Sequence, residues 1–195
     1  MNNKLLIGCG GLLLVAVVLA VVIGGWAASV RNELVVLDEQ MKEKWAQVET
    51  VLQRRYDLIP NLVNTVKGYA QHEKEIFENV ARLRSQWSSA TTLAEKTKAA
   101  NEMESALSRL IAVAENYPDL KANQNFRDLQ FELSGTENRI AVERQRYNES
   151  VKTYNTRVRM FPTSLIAGMM GFLPSTAYFD ATPAATEAPK VDFSK

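Results

Sequence analysis

The sequence predicts an all-α protein: an N-terminal transmembrane helix followed by a long, bent up-down-up-down four-helix bundle. Three observations predict it. The 26 residues from Leu5 to Val30 carry no charge, and a helix needs about 20 mostly apolar residues to cross a bilayer. From Arg31 to Phe161 the apolar residues recur three or four apart, the spacing of a helix face. Nowhere in that stretch do apolar and polar residues alternate as a half-buried strand requires.

The first element is the anchor, residues 1–30. Thirteen residues between Leu5 and Ile23 are Leu, Ile or Val, which favours insertion by ~4–8 kcal/mol. Trp26 stands where an interfacial aromatic belongs. A signal peptide's apolar region runs to about 7–15 residues, so the longer run favours a retained anchor over cleavage near Ala27 and Ala28. Too little apolar sequence precedes Cys9 for a lipidation site. Ala16, Ala20, Gly24 and Ala28 share one stripe at four-residue spacing, which lets membrane helices approach closely. The alternative is chance, since small residues are common in such helices. Lys4 precedes the span while Arg31, Lys42 and Lys44 follow it, pointing the domain to the cytoplasm. Long domains cross largely regardless of charge, so the side stays open.

Residues 31–162 make the expected bundle. Leu34, Leu37, Met41, Trp45, Val48, Leu52, Tyr56 and Ile59 repeat at about 3.67 residues per turn, a nearly straight helix. Neither Gly nor Pro breaks residues 27–59, so this helix continues the anchor. Pro60 lacks the N–H that would bond the Tyr56 carbonyl. The pattern resumes with Leu62, Val63, Val66 and Tyr69, predicting a bend rather than a stop, with Gly68 as C-terminal cap. A second helix carries Ile76, Val80, Leu83 and Trp87. Residues 88–91 read as a loop, and Thr92 with Glu95 as a capping box. The third helix buries Met103, Leu107, Leu110, Ala114 and Tyr117 and ends before Pro118. In the fourth, Phe126, Leu133, Ile140, Tyr147, Tyr154 and Phe161 recur every seven residues, a bundle seam. Helices of ~57 and ~60 Å bring the chain back toward the bilayer. The C-terminal segment 163–180 ends near it, and its apolar run Leu165–Leu173 is too short to span it. It caps the bundle's open end or lies in the interface, capping being preferred. Residues 181–195, rich in Ala, Thr and Pro, read as disordered.

Charge narrows the function. Of 23 Lys and Arg, removing Lys4 leaves 22, against 22 Asp and Glu; a neutral domain offers no footprint for nucleic acid. The one cysteine lies in the anchor, so the domain has neither disulfides nor thiol chemistry. His72, the one histidine, makes a poor zinc site alone. As a general base with Glu73 or Asp57 it lacks an accompanying nucleophile or phosphate loop, so a surface or capping role is preferred. On the fourth helix a second seam, from Leu129 to Val151 and Val158, turns polar at Thr136, Glu137, Glu143 and Arg144. Paired charges fixing register are one reading; a solvated flank is preferred. Gly135 costs about 1 kcal/mol relative to Ala in a helix, which predicts a close approach by another helix.

The densest cluster of unusual choices is Arg54, Arg55, Asp57, Pro60, Asn61 and Asn64. It is either a kink whose asparagines satisfy freed backbone groups or a docking surface for a partner. The run from Arg54 through Pro60 to Ala70, followed by His72-Glu73, resembles the signature of the bacterial LemA family. Tyr117-Pro118-Asp119-Leu120-Lys121-Ala122, Gly135-Thr136-Glu137-Asn138-Arg139-Ile140-Ala141, Arg146-Tyr147-Asn148, Tyr154-Asn155 and Phe161-Pro162 resemble the same family in order. The resemblance implies a bent four-helix bundle on one N-terminal span in a bacterial envelope, and supplies no catalytic residues. The expectation is therefore a non-enzymatic scaffold or adaptor of the cell (inner) membrane, without metal or cofactor. Its expected partners are the lipid bilayer, further copies of itself and other envelope proteins. The alternatives are a membrane-remodelling protein using residues 163–173 as an interfacial wedge, and a membrane-surface enzyme using His72.

Overall fold

The computed structural model describes residues 3–70 and 72–179, with side chains from Gly11 onward. Six helices follow one another: α1 (Asn3–Lys67), α2 (Lys74–Ser89), α3 (Leu93–Ala114), α4 (Pro118–Ala122), α5 (Gln124–Arg159) and α6 (Thr163–Met169). The described residues contain no strand, so the all-α class holds. The expected disordered tail, 181–195, lies outside the described residues. The chain divides into two compact units: an anchor unit of Met1–Glu43 with Glu149–Thr176, and a bundle unit of Lys44–Asn148 with Ala177–Lys195.

In the anchor unit α1 stands open to its surroundings until Val30, its first buried side chain. Val30 and Leu34 share a core with Tyr154 and Val158 of α5 and Ala167 of α6, and half-buried Leu37, Met41, Ile166 and Phe172 pack around it. Here α5 runs antiparallel to α1, and Arg157 Nη2 donates to Glu33 Oε2 at 2.6 Å. The heptad seam stops one step early. Phe161 is 81% exposed, because α5 ends at Arg159 and the chain turns at residues 161–162 before α6. Gly171, at φ +78°, closes α6, and the Phe172 N–H reaches back to the Ala167 carbonyl at 3.0 Å. That closure requires a left-handed residue, which glycine adopts without a Cβ clash. The chain then returns extended beside α5, and the Tyr154 hydroxyl donates to the Leu173 carbonyl at 3.1 Å.

In the bundle unit, contacts fix the direction of each helix. Against α1, α5 is antiparallel: Trp45 meets Tyr147, Arg55 meets Glu137, and Asn123 donates to the Tyr69 hydroxyl. Down α2 the partners reverse likewise, Lys67 lying over Phe77 and Tyr56 stacking on Trp87 at 4.7 Å. Helix α3 returns parallel to α1, pairing Lys96 with Glu49 and accepting the Tyr56 hydroxyl at the Ala99 carbonyl, 3.3 Å. The order is up-down-up-down. Pro60 does not end α1. The missing hydrogen bond is offset by burial of Ile59, Leu62 and Val66 on both sides of it.

Several local expectations are corrected. On α2 Phe77 joins Val80, Leu83 and Trp87 in the core, while Ile76 is half-buried. Ser88 and Ser89 stay helical, confining the break to residues 90–92. Helix α3 ends at Ala114, before half-buried Tyr117, and Pro118 begins α4 at a position where its absent N–H is harmless. Gly68 does not take a left-handed conformation. Instead the Tyr69 and Ala70 N–H groups both donate to the Val66 carbonyl, at 3.0 and 2.9 Å. A Cβ at Gly135 would meet nothing within 4 Å, so among the described residues no other helix approaches there. The capping box is as expected: Glu95 N–H donates to Thr92 Oγ1 at 3.2 Å and Thr92 N–H to Glu95 Oε2 at 3.0 Å. Those backbone donors hold the Glu95 carboxyl below its ordinary pKa.

Candidate functional site

The anchor's apolar residues form a helix long and apolar enough to cross a membrane. Ala16, Ala20, Gly24 and Ala28 are all exposed, and nothing lies within 4 Å of a Cβ placed on Gly24. The stripe is free to meet lipid or another helix.

The cluster around Pro60 does not form one outward surface. Arg54, Asp57, Asn61 and Asn64 are exposed and Pro60 is half-buried, but Arg55 turns inward, its side chain 8% exposed. Its Nη2 lies 3.9 Å from Glu137 Oε2, while Arg144 Nη1 lies 3.3 Å from Glu104 Oε2. Burial lowers the Arg55 pKa most, with the nearby Arg144 charge acting in the same direction and Glu137 and Glu104 opposing it. The polar seam of α5 is therefore not a plain solvated flank. Thr136 is buried and donates to the Leu133 carbonyl at 2.7 Å, and Arg144 is largely covered and paired. Charge pairing across helices accounts for Arg144 and Arg55, because covered guanidinium groups need carboxylate partners, while Glu137 stays 59% exposed and Glu143 pairs with Arg146 on the same helix. Outside this cluster, Asn61 and Asn64 border a shallow groove with Thr65, Asn125, Asp128 and Glu132.

His72 is exposed in the turn ahead of α2. Asp57 sits ten residues before the end of α1, about 15 Å along the axis, and its carboxylate accepts from Gln53 Nε2 at 2.9 Å. The two are not brought together as an acid–base pair. Among the described residues no group of three His, Cys, Asp or Glu is placed to hold a metal ion.

The most elaborately built site was not apparent from the sequence. In the bundle unit Phe179 is buried against three side chains. Its ring stacks on Trp45 at 5.6 Å and 22°, meets Tyr147 edge-on at 5.8 Å, and carries the Arg144 guanidinium 4.9 Å from its centroid. Its backbone is gripped as well: Asn148 Nδ2 donates to the Phe179 carbonyl and the Phe179 N–H donates to Asn148 Oδ1, both at 2.9 Å. Burial pushes the Tyr147 phenol up to about 12, with Tyr178 adding to the shift. The anchor unit repeats the grip, Asn155 exchanging two 2.7 Å hydrogen bonds with the carbonyl and N–H of Ser175. A carboxamide offers one donor and one acceptor side by side, so each asparagine holds the N–H and C=O of a single residue of an extended chain. Chemically this is recognition of backbone plus one aromatic ring. The sequence did hold a signal. A buried tyrosine followed by asparagine occurs twice on α5, at 147–148 and 154–155, one heptad apart.

Comparison with known proteins adds identity. Magnetosome protein MamQ 2 of Paramagnetospirillum magneticum is 28% identical over 179 residues, covering 78% of this chain and 65% of its own length. Magnetosome protein MamQ of Magnetospirillum gryphiswaldense is 26% identical over 179 residues with the same coverage. Protein LemA of Metamycoplasma hominis is 24% identical over 155 residues, covering 78% of this chain and 69% of its own. The chain thus spans about 65% of the length of the MamQ relatives it matches. The model of the LemA family matches residues 44–193, a stretch holding the Arg55 and Arg144 pairs, both Tyr-Asn steps and the Phe179 socket. By that match the chain belongs to the LemA family.

Proposed function

We propose that this protein is a non-enzymatic, membrane-anchored helical scaffold or adaptor of the bacterial envelope, held in the cell (inner) membrane by a single span and self-associating. The observation that carries this reading is the unbroken α1. The apolar segment and the helix that lines the bundle unit from Lys44 to Lys67 are one element, so contacts made in the membrane connect to the domain without a loop. The open stripe at Ala16, Ala20, Gly24 and Ala28 supports association through the anchor. Relatives named as magnetosome proteins, beside one named LemA, support a module that serves more than one assembly.

The test is the mass of the full-length protein in lipid nanodiscs, for the native chain and for Ala20→Leu with Gly24→Leu. A discrete oligomer that loses mass in the double variant is the expected result. A monomeric native chain removes self-association, and an unchanged oligomer removes the stripe. A second reading, membrane remodelling through residues 163–173, is favoured by the exposed apolar face of α6 and requires that face to meet lipid.

A further inference from the structure

The anchor is not the only apolar surface at the foot of the anchor unit. Leu165 is 60% exposed and Met169 84%, one turn apart on α6, and Phe161 at 81% and Leu173 at 73% flank them. Single exposed apolar side chains are ordinary on protein surfaces. Five within thirteen residues, counting Met170 at 43%, are not, and they fall in a segment, Met160–Phe179, without one charged residue. The opposite face of α6 explains its position: Thr163 and Ala167 are buried, Ala167 in the core with Val30 and Leu34. Helix α6 therefore packs one face on the anchor unit's core and leaves the other open.

The level of this face follows from the same core. Arg157 bonds Glu33, and Val158 packs with Val30 and Leu34, so the turn after Arg159 lies beside the start of the buried part of α1. Val30 is only four residues beyond Trp26, about 6 Å along the helix. Arg31 and Arg159, both exposed, lie on either side in sequence of this junction, and basic side chains are attracted to anionic headgroups.

We propose that α6 and its flanks form a second membrane contact, with Phe161, Leu165, Met169 and Leu173 set into the headgroup–acyl boundary of the bilayer that α1 crosses. It rests on the membrane-anchored reading above and adds to it a lipid surface as the occupant of this face. What argues for lipid rather than protein is continuity: the face adjoins the span itself on one helix. An apolar helix face lying about 5–10 Å into the boundary is the usual geometry for such a segment.

The test uses the full chain with Cys9→Ala, reconstituted in vesicles of phosphatidylcholine and phosphatidylglycerol. A nitrobenzoxadiazole label is placed at Leu165→Cys or Met169→Cys, with exposed Lys152→Cys as reference. The labels at 165 and 169 are expected to be quenched by a nitroxide on a shallow acyl carbon and shielded several-fold from aqueous iodide relative to 152. Iodide access equal to that at 152 overturns the proposal. Shielding from iodide without nitroxide quenching also overturns it, and identifies a second protein copy as the cover. Failure of the vesicles to carry the protein on flotation would instead refute the anchored reading.

Discussion

Phe179→Ala is the substitution that best measures how the C-terminal segment is held. Burial of a phenylalanine side chain contributes about 1.5–3 kcal/mol. The Trp45 and Tyr147 contacts add about 0.5–1.5 kcal/mol each, and the Arg144 guanidinium over the ring about 0.5–1 kcal/mol. The residue lies on an extended stretch that can shift into the space left, so the loss falls at the low end, about 3 kcal/mol. That corresponds to a rise of about 150-fold in local opening. Hydrogen exchange of the peptide covering residues 172–179, in the full chain in nanodiscs, reads this opening directly. Asn148→Ala is the comparison. It removes two hydrogen bonds to the same residue, worth about 2 kcal/mol together, and should raise exchange by about 30-fold. A change of less than tenfold for Phe179→Ala, or a larger effect from Asn148→Ala, would show that the ring socket is not what secures the segment.

Gly135→Ala should stabilise the protein by about 1 kcal/mol in chemical denaturation, since the new Cβ meets open space and alanine favours the helix. Glu104→Ala leaves largely covered Arg144 without the carboxylate 3.3 Å away; the expected loss is about 2 kcal/mol, below that of a fully buried pair. Arg55→Met should lie within about 1 kcal/mol of the native chain, because it removes the covered charge itself and leaves Glu137, 59% exposed, to water. Tyr147 is raised to about 12 by burial, above its unfolded value of about 10. The folded state therefore keeps a proton the unfolded state releases, so its contribution is intact below pH ~10 and is lost as pH rises to ~12; urea midpoints measured across that window should fall, and less so in Tyr147→Phe.

The elements that were legible in the sequence are those whose cause is local. An uncharged run, a Thr-Glu pair three residues apart and a heptad of large apolar residues each act within a turn or two, and α1, the α3 cap and the seam from Phe126 to Tyr154 appear accordingly. Phe161 broke the pattern because a chain reversal, rather than the period, decides where its ring goes. At Gly135 the intrinsic cost of glycine in a helix says nothing about what lies beside it, and a Cβ there meets open space. Arg55 and Arg144 were half legible: the polar break in the seam was visible, but their carboxylate partners sit on other helices, 82 and 40 residues away in sequence. The Phe179 socket joins residues from α1, α5 and a segment beyond α6, and no spacing rule connects them.

A helix that leaves the membrane and enters a core without interruption carries a phase as well as a position. Successive residues advance by about 100° around its axis. One extra residue between Ala28 and Val30 would swing the whole stripe at Ala16, Ala20, Gly24 and Ala28 by about 100° against the core edge at Val30 and Leu34, while leaving every side chain in both sets unchanged. Seven extra residues would return it to within about 20°. If copies meet along that stripe, the azimuth at which their core edges face one another is set by a residue count, much as a keyed shaft fixes the angle of a wheel. Orientation within the assembly is then encoded by chain length between two markers, and can be retuned without touching either contact surface.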